Sequence, residues 1–79
     1  MRKHFNDAIK LMITPKALKY VNRKKRNPVR LYFWETDGDE ERYCCGYGFE
    51  YRGDDIELDS LDDLNKKLEQ MADEEEAMA

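Results

Sequence analysis

Two stretches of the chain alternate between apolar and polar residues with the period of a β-strand. Residues 29–35, VRLYFWE, are rich in β-branched and aromatic side chains. In residues 42–52, RYCCGYGFEYR, the odd positions are aromatic or apolar, while the even positions hold charges, one cysteine and two glycines. Successive side chains of a strand point to opposite faces, so each stretch predicts a strand. The intervening TDGDE contains Asp-Gly and predicts a hairpin turn, for example a loop Asp37-Gly38-Asp39.

In this hairpin we expect the odd-numbered residues of both strands to share one apolar face. Cys45 then belongs to that face and is protected from solvent, whereas Cys44 lies on the other face. Tyr32 and Trp34 stand on the same side as Cys44. Neither face is purely polar, so Tyr32 and Trp34 are candidates for an exposed aromatic contact surface.

The segment TPKALKYVNRKKRNP predicts a helix over about residues 15–26. Thr14 is a favourable N-cap, and Pro15 suits the first helical position, where its missing N–H is not needed. Asn27-Pro28 ends the helix. Residues 4–13 fit a helix or a strand, with the helix slightly favoured.

A second helix is predicted over about residues 61–72. Ser60 and Asp63 resemble a capping box, and Leu61, Leu64 and Leu68 form one apolar stripe. The acidic residues 73–79 lie at the negative end of the helix dipole, so we expect a frayed, dispensable tail. Ile56 and Leu58 suggest a short third strand. The chain of 79 residues is thus predicted to be a single α+β domain with a small antiparallel sheet of two or three strands packed by two or three helices.

Charge is distributed very unevenly along the chain. Residues 1–34 hold ten Lys/Arg and one acid, a net +9, whereas residues 35–79 carry −13, which leaves −4 overall. Either the two halves neutralise each other across the fold, or each presents a field to a partner. The sequence shows no signal-peptide pattern and no apolar run approaching the ~20 residues that cross a bilayer. We therefore expect a cytoplasmic protein with two free thiols and no membrane partner.

Three segments carry a resemblance to a known family: ITPKALKYVNRKKRNPVRLYFWE, CCGYG and GDDIELDSLDDL. Over residues 13–64 these are similar to the A-type, HesB-like iron–sulfur carriers, in which a helix starting with Ile-Thr leads to a strand, a Cys-Gly turn and a D-x-x-S-x-x-L segment. The resemblance implies that Cys44 or Cys45 is a cluster ligand.

The residues themselves favour neither a metal site nor an enzyme. A closed metal site usually needs four ligands, and the chain has two adjacent cysteines and one histidine, His4. Ser60, the only serine, is expected to be used as a helix cap, and neither thiol has an obvious base nearby. We expect no cofactor and no catalysis.

Two charged segments predict binding functions. The first, called here the basic cluster, comprises Arg23, Lys24, Lys25 and Arg26. These cations could contact phosphates while Tyr32 and Trp34 stack on bases, which would make the protein a nucleic-acid-binding module.

The acidic segment could present a row of negative charge that mimics a phosphate backbone. Its residues are Asp54, Asp55, Glu57, Asp59, Asp62 and Asp63. In size and composition the chain resembles small phage and mobile-element inhibitors of the anti-CRISPR or anti-restriction kind. The leading hypothesis is a non-enzymatic module that binds the nucleic-acid-binding surface of a host protein complex.

Overall fold

The computed structural model describes residues 1–36 and 44–78. In chain order, the elements are β1 (Arg2–Phe5), a 3₁₀ helix (Asp7–Leu11), α1 (Pro15–Arg23), β2 (Arg30–Glu35), β3 (Cys45–Tyr51), β4 (Asp54–Leu58) and α2 (Leu61–Met78). The strands form one antiparallel sheet in the order β1-β2-β3-β4. The α+β class is confirmed, and the sheet has one strand more than the two or three predicted. The predicted turn at residues 37–39, and Arg42 and Tyr43, lie outside the described residues.

The additional strand overlaps the start of residues 4–13, for which a helix was slightly favoured. Residues Arg2–Phe5 pair with β2, and only the following residues turn into a short 3₁₀ helix. Asn6 separates the two, since its side-chain oxygen accepts a hydrogen bond from the backbone N–H of Ala8 at 2.9 Å. The single apolar anchor of the 3₁₀ helix is Ile9, which is 4% exposed. The segment 4–13 has two buried residues, Ile9 and Ile13, and only the stretch around Ile9 forms a short helix.

The hairpin of β2 and β3 has the predicted register. Leu31 lies opposite Phe49, and Phe33 lies opposite Tyr47, so odd-numbered residues pair with odd-numbered residues. Ile56 of β4 lies opposite Phe49 and continues the same face. The predicted third strand is therefore confirmed.

Helix α1 begins as predicted and ends three residues early. The Thr14 hydroxyl accepts a hydrogen bond from Ala17 N at 3.3 Å, and Pro15 occupies the first turn. The end differs because Lys24, with φ −87° and ψ 72°, leaves the helical conformation. Lys25 and Arg26 consequently lie in the connection to β2.

Helix α2 continues to Met78, six residues beyond its predicted end, so the segment expected to fray is helical. Two of its acidic residues, Asp73 and Glu75, form ion pairs with Lys16 and Lys24 of the α1 segment. These cations offset the unfavourable position of carboxylates at the negative end of the helix dipole. At the other end, the Ser60 hydroxyl accepts a hydrogen bond from Asp63 N at 3.2 Å, which confirms the predicted cap.

The core lies between the two helices and one face of the sheet, called here the helix face. Its fully or nearly fully buried members are Ile9, Ile13, Ala17, Tyr20, Val21, Val29, Leu31, Phe49, Leu64, Leu68 and Ala72. The opposite face of the sheet, the open face, carries Tyr32 and Trp34. Ion pairs such as Lys3–Asp55 and Arg30–Glu50 join the basic half of the chain to the acidic half. Neutralisation across the fold therefore accounts for part of the uneven charge.

Candidate functional site

The six predicted acidic residues lie along one edge of the fold, called here the acidic edge. Three belong to β4, which is an edge strand of the sheet, one follows it, and two stand in the first turn of α2. All but Asp63 are exposed. In chain order they are Asp54, Asp55, Glu57, Asp59, Asp62 and Asp63.

The acidic residues are divided between the two faces of β4. Asp55 lies opposite Glu50, and Glu57 lies opposite Gly48, so both belong to the open face, whereas Asp54 alternates to the helix face. Charged side chains on an edge strand discourage pairing with another chain. Asp62 and Asp63 are favourable next to the positive end of the α2 dipole. Part of the acidic edge thus has a role in the fold itself.

The aromatic residues predicted to be exposed, Tyr32 and Trp34, are instead buried, with 0% and 8% of their surfaces exposed. They do stand on the predicted face, and the two glycines of β3 make room for them. Tyr32 lies opposite Gly48 and Trp34 lies opposite Gly46, and each ring covers its glycine. The Trp34 Nε1–H donates to the backbone oxygens of Tyr47 (3.1 Å) and Leu58 (3.0 Å). Both rings pack against the sheet on the open face and are not exposed for stacking on a base.

A second layer of side chains covers Tyr32. The Phe5 ring packs edge-on against it, with centroids 5.2 Å apart, and Lys3 Nζ lies 5.4 Å from the Tyr32 centroid. Lys3 then reaches across the sheet from β1 to bind Asp55 of β4. Burial, together with the charges of Asp55 and other nearby carboxylates, raises the pKa of the Tyr32 phenol to about 12.

Cys44 and Cys45 are both free and exposed. The protection predicted for Cys45 is therefore wrong, although its face is correct, since it pairs with Glu35 on the helix face. Within residues 1–36 and 44–78, no group of three or more His, Cys, Asp or Glu side chains is arranged to hold a metal ion. The N–H of Cys44 also donates a hydrogen bond to the hydroxyl of Thr36, the residue after β2, at 3.0 Å.

The basic cluster is held together by a carboxylate from α2. Glu75 accepts a hydrogen bond from Lys24, and its other oxygen lies 3.9 Å from Arg23. The hydrogen bond raises the pKa of Lys24 and lowers that of Glu75. Lys25 and Arg26 are exposed and make no ion pair with the described part of the chain. Only half of the cluster is therefore used in packing.

The structure adds Arg52 to this cluster, which the sequence reasoning missed. Arg52 lies in the turn between β3 and β4 and lines one cleft together with Arg23, Lys24, Lys25, Arg26, Asn27 and Tyr51. We call these seven residues the basic cleft. The one sequence signal that could have indicated Arg52 is the dipeptide Arg52-Gly53 at a predicted turn, where Asn-Gly is preferred.

Comparisons with protein-family models, with curated proteins and with solved structures find no significant match. The resemblances to small phage inhibitors and to iron–sulfur carriers therefore stay predictions. In the part of the chain that the structure describes, no helix has the length and apolar character needed to cross a membrane.

Proposed function

We propose that the protein is a binding module whose acidic edge docks onto a basic surface of a partner protein. The observation that carries this proposal is the row of exposed carboxylates along β4 and into α2. Glu57, Asp59 and Asp62 make no ion pair with the described residues, so their charge is available to a partner. Asp55, which binds Lys3, contributes less.

The spacing of these carboxylates suits a surface that binds nucleic acid. Alternate residues of a strand are about 6.7 Å apart, so Asp55 and Glu57 of β4 place charge at that interval, and Asp59 adds a further charge just after the strand. A groove that binds nucleic acid is lined with Lys and Arg that neutralise successive phosphates. The preferred partner is therefore a nucleic-acid-processing protein complex, and the module acts by occupying that groove.

Burial of Tyr32 and Trp34 shifts the proposal away from the aromatic surface. It also weakens the alternative in which these rings stack on bases beside the basic cluster. If nucleic acid nevertheless bound directly, removing carboxylates would strengthen binding, because the repulsion between the acidic edge and phosphates would fall. The two functions therefore predict opposite effects for the same variant.

The test combines a triple variant of the acidic edge with a control of equal charge. The variant carries Glu57→Gln, Asp59→Asn and Asp62→Asn, and the control carries Glu69→Gln, Glu74→Gln and Glu76→Gln on α2. A partner captured from a lysate of the cell that expresses the protein is purified, and its affinity for each variant is measured by calorimetry. We expect the edge variant to weaken binding at least about tenfold, equivalent to about 1.4 kcal/mol, and double-stranded DNA to compete with the wild type.

Capture alone does not support the proposal, because an acidic protein attracts basic proteins non-specifically. Equal weakening by the edge and control variants would show that only net charge matters, which contradicts a docking edge. A partner that binds the module and DNA at the same time would contradict occupation of a nucleic-acid groove.

A further inference from the structure

The basic cleft is assembled from two elements that are distant in sequence. The end of α1 and the connection after it supply Arg23 to Asn27, and the end of β3 and the turn after it supply Tyr51 and Arg52. The cleft has a volume of about 290 Å³. This is close to the lower end of the range for small-molecule sites, about 300–1,000 Å³.

The charge in the cleft exceeds what the fold uses. Five cationic side chains line it, and Glu75, at its margin, neutralises part of the charge of Lys24 and Arg23. The C-terminal end of α1 adds only about half a negative charge through its dipole. A surplus of positive charge therefore stays on Lys25 and Arg26, and in part on Arg52, whose charge also acts on Glu75.

The turn that holds Arg52 is unusual for an arginine. Arg52 has a φ of +53° and Gly53 has a φ of +82°, so both central residues of this hairpin turn are left-handed. Such turns favour Asn, Asp or Gly at the first position, because other side chains incur a steric cost there. Gly53 satisfies the preference and Arg52 does not. The guanidinium of Arg52 lies 5.2 Å from the centroid of the Tyr51 ring, which offsets part of this cost. The turn also places a fifth cation in the cleft, which points to a role beyond folding.

We propose that the basic cleft binds a compact, multiply charged phosphate group of the pyrophosphate class, either free or as part of a nucleotide. Arginine offers a planar fork of donors that matches phosphate oxygens, and lysine adds a mobile point charge. The five cations line one concavity, which suits a small, highly charged group better than an extended backbone. The site does not depend on the protein-binding function, and it adjoins the acidic edge only at Asp54, which pairs with Tyr51.

The first experiment titrates the full chain with sodium pyrophosphate at constant ionic strength, followed by calorimetry and by amide chemical shifts. We expect saturable 1:1 binding, with the largest shifts around residues 23–27 and 51–53. Arg52→Asn should weaken binding at least about fivefold, because it removes a charge-assisted donor, yet it should keep or raise the melting temperature, since Asn-Gly suits this turn.

The matched control is Lys66→Gln, which removes the same charge from an exposed position of α2 away from the cleft. It should change pyrophosphate affinity less than about twofold, as expected for a distant screened charge. Glu75→Gln should act in the opposite direction and tighten binding, because it releases Lys24 and Arg23 from their carboxylate. The absence of saturable binding, or equal weakening by Arg52→Asn and Lys66→Gln, would overturn the proposal.

Further titrations with ADP and with a single-stranded oligonucleotide that lacks a terminal phosphate identify the source of the phosphate. Adenosine, which has no phosphate, is the control for binding through the base and sugar. Equal affinity for pyrophosphate and ADP would support the free anion, and tighter binding of ADP would support a nucleotide. Oligonucleotide binding that is tighter than both, and equally sensitive to Arg52→Asn, would replace the proposal with backbone binding.

Discussion

The indole ring of Trp34 lies directly over Gly46. A Cβ added to Gly46 would stand 2.8 Å from Trp34 Cζ2 and 2.3 Å from the backbone oxygen of Leu58. Gly48 has the same relationship to Tyr32, with a distance of 2.7 Å to Cε1 of that ring. The two glycines of CCGYGFEY therefore leave the space that two aromatic rings of the neighbouring strand occupy.

We predict that Gly46→Ala lowers the free energy of unfolding by about 1–3 kcal/mol, the usual cost of overpacking. The loss should be at the upper end, because one of the two close contacts is with backbone that cannot rotate away. Urea denaturation measures it. Gly53→Asn is the control, since nothing lies within 4 Å of a Cβ there and Asn tolerates positive φ. An equal loss in both variants would contradict the covering of Gly46 by Trp34.

A second prediction concerns alkaline pH. The folded state raises the pKa of Tyr32 from 10.0 to about 12, chiefly through burial. Between these values the unfolded state has lost the phenol proton while the folded state keeps it. Stability is therefore predicted to fall as pH rises through this interval.

Thermal unfolding across that interval tests the prediction with Tyr32→Phe as the control. The phenol contributes only a marginal hydrogen bond, 3.5 Å to Ile56 O, so the variant should fold. Its melting temperature should depend less on pH than that of the wild type. Identical pH profiles would assign the alkaline loss to the other tyrosines.

The alternation of residues in the hairpin was sufficient to predict register and faces, but not exposure. Leu31 opposite Phe49 follows directly from the period of two. Burial of Trp34 depends on Gly46 beside it and on the oxygen of Leu58 two strands away. The alternating pattern contains Gly46 on the same face, but it does not contain the partner from β4. The same limit applies to Cys45, whose apolar face extends beyond the region that the helices cover.

Long-range ion pairs explain the other differences from the sequence predictions. The tail of α2 looked unfavourable for a helix because its own charges oppose the dipole, and its stabilising partners belong to α1. Arg52 lies beside the basic cluster because the fold brings the β3–β4 turn next to the end of α1, a contact that the sequence does not indicate. The six acidic residues, in contrast, all fall between positions 54 and 63, so their common edge could be predicted from the sequence.

The third prediction is that Glu75→Gln lowers the melting temperature at low ionic strength, whereas Glu76→Gln has a smaller effect. Glu75 holds Lys24 and Arg23, while Glu76 has no ion pair within the described chain. The hydrogen bond from Lys24 lowers the pKa of Glu75 below 4.5. Its stabilisation is therefore present above about pH 4.5 and is lost as pH falls through the folded-state pKa.

Calorimetric scans at several pH values and salt concentrations measure this effect. High salt should reduce the difference between Glu75→Gln and the wild type, because exposed pairs are screened. A difference that persists at high salt and at low pH would show that Glu75 stabilises α2 by packing instead of charge.

The fourth prediction concerns the two thiols. Since Cys44 and Cys45 are both exposed, each should react with a maleimide in the native state without prior unfolding. Single Cys44→Ser and Cys45→Ser variants allow the two rates to be measured separately. Strong protection of Cys45 alone would contradict its exposure and would restore the original prediction from the alternating pattern.

The last prediction is that the acidic edge and the basic cleft function independently. Among the residues changed in the triple edge variant, Glu57 is the nearest in sequence to Arg52, five positions along a β-hairpin arm, a separation of roughly 13–17 Å at about 3.3 Å per residue. Charges are screened over about 8 Å at physiological ionic strength, so only weak coupling is expected. Arg52→Asn should therefore leave affinity for the protein partner unchanged, and the triple edge variant should leave pyrophosphate affinity within about twofold, since effects at distant sites usually add. Calorimetry on the two variants and on their combination measures the coupling. If Arg52→Asn also abolished partner binding, the two surfaces would form one interface, with the cleft receiving an acidic group of the partner.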